Sequence, residues 1–386
     1  MHILHITNSY GGTAVYKNLY MALDDLGIRQ TIYVPLNSRN RDRVGKQMID
    51  FKTKESIIIY STVLKWYHRF LYRLKIKLLY KDVQKKVRLD EISFVHASTQ
   101  CLDGAIAYEL KQHYKIPFLI AVRNTDLNTY YRFFRYHVGY FEKILHAAEH
   151  IVFISPKYLE IYRKKYITSQ WGNEFATKAN VIPNGIGPYF LENRNYSNRA
   201  IHNPIRIIFV SAFLKAKGII ETINAIELLN RKGYHICLNA VGRGLPGRNK
   251  ERDFIRQLEE LERKYPWLTL EDYKSPEAIC KQMRQSDIFV MPSKPETFGL
   301  VYVEALSQNL PIVYTKGEGF DGFFPEGEVG YSAISGNVAS IAEVIMKVIH
   351  NYPIIVNNIT RLSLEKDFSW PLIATKYMKL YKMLQR

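Results

Sequence analysis

The sequence predicts an α/β protein built from two doubly wound parallel sheets, because its two halves begin with the same plan. Each half opens with a buried strand, a turn that contains glycine, and an amphipathic helix that ends at glycine, over residues 1–27 and 205–233. At 386 residues the chain is too long for one ordinary core, which also indicates two domains. The expected divisions are a first domain over 1–190, a linker over 191–204, a second domain over 205–368 and a final segment over 369–386.

The elements of the first half follow its opening strand, MHILHIT, in order. The next helix has Val15, Leu19, Ala22 and Leu26 on one face and stops at Gly27. Short segments rich in β-branched and aromatic residues then recur at the spacing of parallel strands that alternate with helices. The predicted strands are TIYV, SFVHAS, PFLIAV, HIVFIS and NVIP.

The second half repeats this arrangement after a polar, turn-rich linker that ends in proline. Its first helix places Ile220, Ile223, Ile226 and Leu229 on one face and stops at Gly233. The strands predicted after it are HICLNAVG, WLTL, DIFVMPS and LPIVYT. The last segment, WPLIATKYMKLYKMLQR, has the pattern of an amphipathic helix.

Composition excludes several classes of protein. The hydrophobic content of 47% and the charged content of 23% exclude disordered and fibrous chains. Three separated cysteines without a C-x-x-C pair give neither a disulfide framework nor a zinc site, which favours a reducing cytosol. The sequence lacks a secretory signal and a long apolar run, so we expect a cytoplasmic protein that is soluble or peripheral to a membrane.

The basic excess lies mainly in the first half. The net charge is +18, and residues 1–190 carry 28 Lys+Arg against 15 Asp+Glu, a difference of +13. In residues 59–88, nine basic residues and one acid alternate with aromatic and apolar residues. Such a segment is typical of an interfacial helix on anionic lipid, or of a domain helix with a solvated basic face. No nucleic-acid motif accompanies it, so nucleic acid is not an expected partner.

The candidate chemistry lies in DIFVMPSKPETFGLVYVEALSQN, where a strand leads through a loop into a helix predicted to begin near Thr297. In open α/β sheets, ligands bind at the carboxyl ends of strands. The free amides of Phe298, Gly299 and Leu300 at this helix start would form an anion site suited to a diphosphate. Glu304 lies two turns on among apolar neighbours, so its carboxylate needs donors such as a ribose diol. Glu296, in the loop, could hold sugar hydroxyls.

This E-x7-E pattern resembles that of the retaining glycosyltransferases of family four, the group 1 glycosyltransferases. Other segments agree in order and spacing across nearly the whole chain: NSYGG, VHAS, IPFLIAV, FISPKYLEIY, VIPNGI, LKAKGI and AVGRG. The resemblance implies the GT-B fold, with two Rossmann-like domains facing a cleft and a C-terminal helix that crosses back to the first domain.

The resemblance also implies roles for the site residues. Glu304 would bind the ribose of the donor nucleotide, and Glu296 would contact the transferred sugar as a catalytic residue. Lys217, also catalytic, would bind the pyrophosphate together with the amides at the helix start. The remaining donor-binding positions implied are Gly11, Gly12 and Thr297.

The chain departs from the family pattern at two positions. Ala212 stands where most members carry arginine, so we predict that Arg243 or Lys215 supplies the missing cation, because a diphosphate leaving group needs its charge neutralised. Arg123 stands where many members have histidine, and it cannot act as a general base at neutral pH.

Three residues of the first half are acceptor-side candidates. Arg123 is predicted to be a catalytic residue that stabilises a phosphate or orients the acceptor, with Asp126 nearby; the alternative is a surface ion pair between the two. His96 follows a strand and is either an acceptor-side residue or a structural one.

The expected activity is transfer of a hexose-type sugar from a nucleotide-diphosphate donor, with retention, to a lipid-linked or other saccharide acceptor of cell-surface polysaccharide synthesis. We expect neither a cofactor nor a metal, since no Asp-x-Asp pair occurs in the sequence. An anionic membrane surface on the cytoplasmic side is the expected partner. The alternatives are a non-catalytic binding module of the same fold, and a nicotinamide-dependent oxidoreductase that uses Gly242, Gly244 and Gly247 with Glu271-Asp272.

Overall fold

The fold is given by a computed structural model that describes residues 1–197, 199–243 and 252–384. The chain forms two compact units. The first comprises Met1–Ile154, Leu159–Gly185 and the chain from Trp370 onward; the second comprises Ser155–Tyr158 and Ile186–Ser369. The second unit therefore begins close to the predicted linker, and the final segment belongs to the first unit.

Strands and helices alternate through most of the described chain. The strands are β1 His2–Ile6, β2 Arg29–Asn37, β3 Ile57–Leu64, β4 Phe94–Ala97, β5 Phe118–Val122, β6 His150–Phe153, β7 Ala179–Val181, β8 Ile205–Val210, β9 Ile236–Arg243, β10 Leu268–Asp272, β11 Ile288–Val290, β12 Ile312–Thr315 and β13 Gly330–Ala333. The α-helices are α1 Ala14–Asp25, α2 Tyr72–Lys86, α3 Asp103–Tyr114, α4 Tyr131–Phe133, α5 Val138–Ala147, α6 Pro156–Tyr166, α7 Gly172–Lys178, α8 Pro188–Glu192, α9 Ile219–Arg231, α10 Arg252–Lys264, α11 Pro276–Arg284, α12 Leu300–Ser307, α13 Val338–His350, α14 Tyr352–Arg361, α15 Leu364–Phe368 and α16 Trp370–Leu384.

Each unit contains one parallel sheet whose strand order reverses near its middle. The first sheet has the order β3-β2-β1-β4-β5-β6-β7, and the second has the order β10-β9-β8-β11-β12-β13. All strand pairs given for the two sheets are parallel, and most of their residues are buried, as expected for sheets covered by helices on both faces. The two predicted doubly wound sheets are confirmed.

The C-terminal helix packs on the first unit. Tyr377 and Tyr381 of α16 belong to the same buried apolar cluster as Leu19 and Tyr20 of α1 and the sheet residue Ile3. The return of the last helix to the first domain, which the family resemblance implied, is therefore confirmed.

The basic segment 59–88 is not one helix. Its first residues complete β3, a 3₁₀ turn follows at Trp66–Arg69, and only Tyr72–Lys86 form the helix α2. The stretch IIIYSTVL is rich in β-branched residues, which favour a strand over a helix. The continuous interfacial helix predicted as one alternative is therefore wrong in its first part.

In the described ranges, no single helix is long and apolar enough to cross a membrane. Only α13 and α14 taken together, with a bend of 76° between them, meet that length and composition requirement.

Candidate active site

In the second unit, two neighbouring strands bring two loops together at their carboxyl ends. β8 pairs with β11 through Ile207 with Ile288, so the loops that follow these strands lie side by side. The amide of Lys294, after β11, donates to the carbonyl of Ala216, after β8, at 2.7 Å. This contact places the 3₁₀ turn Lys215–Lys217 beside the loop that carries Glu296.

Glu296 accepts hydrogen bonds from three groups. Lys217 Nζ donates to its Oε2 at 2.8 Å, and Ser293 Oγ donates to the same oxygen at 3.2 Å. The amide of Thr297 donates to Oε1 at 3.1 Å. Glu296 is 9% exposed, so a buried carboxylate and a cation meet at this edge of the sheet. The structure therefore brings the predicted catalytic pair Glu296 and Lys217 together.

A second carboxylate that the sequence analysis missed holds the same loop in place. Glu318 accepts from the amide of Glu296 at 2.8 Å, and the amide of Gly319 donates to the Glu296 carbonyl at 2.7 Å. Burial raises the pKa of Glu318. These residues follow β12, which pairs with β11, so the signal was the glycine-rich KGEGFDG at the end of a neighbouring strand.

The helix after this loop begins later than predicted. α12 starts at Leu300, with Gly299 as its N-cap at φ +75°, where a Cβ would lie 2.3 Å from the Tyr302 ring. Tyr302 makes the first backbone bond of the turn, to the Gly299 carbonyl at 3.0 Å. Leu300 and Val301 are the first two residues of the helix, so the helix itself contains no carbonyl that could accept from their amides. The predicted start near Thr297 is wrong, because Gly299 redirects the chain there.

Phe298 anchors the loop to the core of the second unit. Its ring is 3% exposed and packs against Phe323 at 5.4 Å and against Phe368 at 6.0 Å between ring centroids. The side chain thus points into an apolar cluster, and the residue can offer a ligand only its backbone.

Glu304 differs from every other carboxylate of this site. Its side chain is only partly exposed, and within the part of the chain that the structure describes no group donates a hydrogen bond to it. Burial raises its pKa to about 7. A carboxylate held without a partner in a poorly solvated place costs several kcal/mol when ionised. Donor hydroxyls from a ligand would remove this cost.

The two predicted substitutes for the missing arginine contact other groups in the structure. Arg243 ends β9, and its Nε donates to Asp272 Oδ1 at 2.7 Å, with Glu259 Oε1 at 3.8 Å from its NH1. Two carboxylates therefore already bind Arg243. Lys215 Nζ lies 6.0 Å from the Phe254 ring. The structure brings Lys217, and not Arg243, to Glu296.

Of the glycine motif on which the oxidoreductase alternative rests, the structure describes Gly242, which has a structural role. Gly242 adopts φ +138°, and a Cβ there would lie 2.0 Å from the carbonyl oxygen of Ser211, just after β8. Glu271, the supposed ribose-binding acid, accepts from Asn239 at 2.6 Å and from Gln282 at 2.7 Å. Gly244 and Gly247 lie outside the described residues.

In the first unit, Asp126 is a structural carboxylate. It is fully buried and accepts from the amides of Arg123 at 2.8 Å, Cys101 at 2.8 Å and Gln100 at 3.2 Å. Burial raises its pKa, and these amide bonds lower it in part. The predicted acceptor-side role of Asp126 and the alternative of a surface ion pair are both wrong, because the carboxylate is inaccessible and binds the Arg123 backbone.

Arg123 itself is partly buried. Its NH1 donates to Asn184 Oδ1 at 3.1 Å, and its guanidinium lies 5.9 Å from the Tyr16 ring centroid. The residue follows β5 at the carboxyl edge of the first sheet, so it remains a candidate for anion recognition in this unit.

His96 is buried beneath the C-terminal helix. Its Nδ1 lies 2.7 Å from Tyr381 Oη, its ring packs on Tyr377 at 5.0 Å, and it is 1% exposed. Burial first, and the charge of Arg123 second, lower its pKa to about 3. The structural alternative describes His96, and the acceptor-side prediction is wrong because no acceptor can reach a neutral ring in the core.

The predicted glycine loop follows β1. Gly11 has φ +76°, and a Cβ on Gly12 would lie 3.1 Å from the Arg43 guanidinium carbon. Arg43, a cation that the sequence analysis missed, thus lies against the loop. Asn8 opens the loop and donates to both oxygens of the buried Asp103 at 3.0 Å, and burial raises the pKa of this carboxyl to about 7.

Among the residues described, no group of three or more His, Cys, Asp or Glu side chains could hold a metal ion.

Comparison with known proteins finds a matching family model and several similar proteins. Residues 193–362 match the family described as glycosyl transferases group 1. The chain is 27% identical over 278 residues to the capsular polysaccharide biosynthesis glycosyltransferase CapM of Staphylococcus aureus, which covers 68% of this chain and 69% of that protein.

Solved structures share the fold. The chain superposes on a sucrose-phosphate synthase from Thermosynechococcus elongatus with a TM-score of 0.75 and 17% identity, over 100% of this chain and 99% of the other. For Anabaena Alr3699/HepE in complex with UDP-glucose, the TM-score is 0.66 at 16% identity, over 99% and 100% of the two chains. The GT-B fold predicted from the resemblance is confirmed.

Proposed function

We propose that this chain transfers a sugar from a nucleotide-diphosphate sugar to an acceptor hydroxyl, since residues 193–362 match the family described as glycosyl transferases group 1. The observation that carries the proposal is Glu304. It is a poorly solvated carboxylate to which no described residue donates a hydrogen bond, and it lies about one helical turn after the amides that begin α12. A nucleotide donor supplies what both ends lack, a diol for the carboxylate and a diphosphate for the amides.

The amides at the start of α12, Lys217 and Glu296 would each bind a different part of the donor. The amides of Leu300 and Val301, at the positive end of the helix dipole, would bind the diphosphate, and Lys217 would add a full positive charge. Glu296 would accept hydrogen bonds from hydroxyls of the sugar. Its hydrogen bond from Lys217 would keep the amine next to the leaving group. Since the leaving group gains negative charge as its bond to the sugar breaks, these groups stabilise the transition state more than the bound donor.

We propose retention of configuration, and a hexose-type sugar. Glu296 is held by Lys217, Ser293 and the Thr297 amide, which suits a carboxylate that binds hydroxyls and not one that attacks carbon. The acceptor oxygen would then form its bond to the anomeric carbon on the face from which the diphosphate leaves. The acceptor proton would pass to an oxygen of the departing phosphate.

We propose that the reaction needs no metal ion and no other cofactor. The sequence contains no Asp-x-Asp pair, and the amides of α12 and Lys217 supply positive charge at the proposed diphosphate position. Turnover that persists in excess chelator would support this part of the proposal, and loss of turnover that Mg²⁺ or Mn²⁺ restores would contradict it.

For the acceptor, we propose a lipid-linked saccharide of cell-surface polysaccharide synthesis, used at the cytoplasmic face of an anionic membrane. The similar CapM is named for capsular polysaccharide biosynthesis. The first half of the chain carries most of the positive charge, and a basic surface attracts anionic headgroups and phosphate-bearing acceptors.

The test is a screen of nucleotide sugars for a rise in melting temperature, followed by turnover of the best one. A ligand that binds the folded state raises its stability by mass action. We expect stabilisation by a nucleotide sugar and by its nucleoside diphosphate, and loss of transfer in Glu296→Gln. The control is Glu343→Gln, which removes an exposed carboxylate of α13 that pairs with Lys347.

Two outcomes would overturn the proposal. Protection by NAD(H) and not by nucleotide sugars would favour the oxidoreductase alternative. Stabilisation by a nucleotide sugar without hydrolysis or transfer in the wild-type protein would favour the non-catalytic module.

A further inference from the structure

The outward face of α2 carries an exposed apolar stripe. Leu71, Leu74 and Leu78 recur at the three- and four-residue spacing that places side chains on one face of a helix. Leu71 is 47% exposed and Leu74 is 42% exposed. The opposite face packs into the unit through Tyr72, Ile76, Leu79 and Val83. The helix is therefore a structural element whose outer side keeps large apolar residues in water.

A basic stripe runs beside this apolar stripe. Arg73, Lys77 and Lys81 are spaced by four residues and line a cleft of about 300 Å3, together with Glu109 and His113 of α3. The guanidinium of Arg73 lies 3.8 Å from the Tyr140 ring, and Tyr140 Oη donates to Glu109 Oε1 at 2.7 Å. The one carboxylate of the cleft is thus already bonded. Across the described ranges, no carboxylate lies within 4.0 Å of Lys77 or Lys81.

Exposed aromatic residues border the two stripes. Trp66 and Phe70, just before α2, are 56% and 62% exposed. Phe133 and Tyr136 are 61% and 78% exposed, and this second segment reaches the start of α2 because His137 packs on Tyr72 at 4.8 Å between ring centroids. Large aromatic side chains that stay in water gain no burial free energy in the isolated chain. A patch of them therefore points to a partner with an apolar interior.

We propose that this docking face, formed by residues 66–81 and 132–136, lies flat on an anionic phospholipid bilayer and that the basic cleft binds the phosphate of a lipid headgroup. The proposal rests on the proposed function, since it gives the membrane partner a defined surface. The apolar stripe and the aromatic rings would enter the boundary between headgroups and acyl chains. The cations would remain at headgroup level, with their stems along the apolar surface.

A bilayer fits the docking face better than the other polyanions. Nucleic acid would neutralise Arg73, Lys77 and Lys81 but would leave the leucine stripe in water. An acidic protein could cover both stripes, and it is therefore treated as an outcome of the test.

The experiment measures sedimentation of the full chain with vesicles. We expect binding to vesicles rich in phosphatidylglycerol and little binding to phosphatidylcholine. Lys77→Gln/Lys81→Gln should weaken binding roughly 25-fold, about fivefold for each lysine next to an anionic surface. The matched control is Lys164→Gln/Lys165→Gln, which removes two exposed lysines of α6 and should bind like the wild type.

A second variant tests the apolar stripe separately. Leu71→Ser/Leu74→Ser should lose binding even at low salt, whereas Met21→Ser, at a residue that is 44% exposed on α1, should not. Trp66 provides a spectroscopic signal, because it is 56% exposed, whereas Trp171 and Trp370 are buried and Trp267 is partly buried. Its emission should shift to shorter wavelength with anionic vesicles, and Trp66→Phe should remove that shift.

Several results would overturn the proposal. One is binding to phosphatidylcholine vesicles that equals binding to anionic vesicles. Another is binding by Lys77→Gln/Lys81→Gln that equals that of the wild type. A third is vesicle binding that the Leu71→Ser/Leu74→Ser change does not weaken. Binding to double-stranded DNA, or to an acidic protein, that is stronger than binding to anionic vesicles and is lost in the same variants would do so as well.

Inorganic phosphate separates a headgroup site from a site for free anions. The lipid assignment would be contradicted if inorganic phosphate protected the chain against unfolding to the same degree as anionic vesicles, without a shift of the Trp66 emission. Glu296→Gln should bind vesicles normally, so failure of docking and failure of sugar transfer can be told apart.

Discussion

Each unit has a carboxylate in the segment that follows a strand of its sheet, but the two carboxylates differ in the hydrogen bonds that they accept. In the first unit, Asp126 is fully buried and receives three backbone amides. In the second unit, Glu304 is partly buried and receives no donor from any residue that the structure describes. Both carboxyl pKa values are raised by burial, so the pKa alone does not separate them.

The difference lies in hydrogen-bond satisfaction. Buried polar groups of folded proteins almost always have partners, and an exception needs an explanation. The partners of Asp126 fix a loop of the first unit, which makes it part of the scaffold. Glu304 has no donor among the described residues, which is what we expect if, as proposed, a ligand completes it. The predictions below test this contrast, from the largest expected effect to the smallest.

The largest effect is expected for Lys217→Met. This change removes the charge that is held 2.8 Å from Glu296 and leaves a side chain of similar length. We expect turnover of the donor to fall roughly 10²- to 10³-fold, because a preorganised charge at the leaving group is lost. Steady-state kinetics with saturating donor measure it. Lys215→Met, two residues earlier, is the matched control; a similar loss there would remove the special role of Lys217.

A smaller effect is expected for Glu304→Ala. Removal of the carboxylate deletes hydrogen bonds to the donor but leaves the leaving-group contacts, so we expect donor affinity to fall about 10- to 100-fold with a modest change in kcat. Calorimetric titration with the nucleoside diphosphate measures this. Unchanged affinity, with a lower kcat, would contradict the assignment.

The reverse pattern is expected for Asp126→Asn in the first unit. The amide cannot accept from all three backbone donors, so the free energy of unfolding should fall by about 1–3 kcal/mol while donor affinity stays the same. Denaturant unfolding measures it, with Asp90→Asn at an exposed position as the control. A stable variant with lost donor binding would break the comparison.

The smallest effect concerns pH. The pKa of Glu304 is raised to about 7 in the folded state, so the folded state binds more protons than the unfolded state between about pH 4.5 and 7. The stability contributed by this group therefore falls as the pH rises through that window. Without ligand, Glu304→Gln should be more stable than the wild type above pH 7 by on the order of 1 kcal/mol and equal to it near pH 4. Parallel curves over the whole range would contradict the raised pKa.

Much of this contrast could be predicted from local sequence. The strand, loop and helix around Glu296 and Glu304 follow from residues close in the chain, and the apolar neighbours of Glu304 already indicated a carboxylate in need of donors. The sheets and the last helix were also predictable, because each has a clear periodicity.

Apart from the start of α12 and the first part of segment 59–88, the errors concern contacts between distant residues. Glu318 reaches Glu296 only because β11 and β12 pair, and Asp126 is buried only because the loop after β4 donates two amides to it. His96 lies in the core because α16, far along the chain, covers it. No local pattern carries these pairings, so sequence alone left both first-unit residues as acceptor-side candidates.

The most direct test compares a nucleoside diphosphate with its 2′,3′-dideoxy analogue on wild-type protein and on Glu304→Ala, by calorimetric titration. If Glu304 binds the ribose diol, the analogue binds the wild type about 10-fold or more weakly, and the two ligands bind Glu304→Ala equally. If the analogue loses the same affinity on both proteins, another group holds the ribose, and the unpartnered carboxylate is not the donor site.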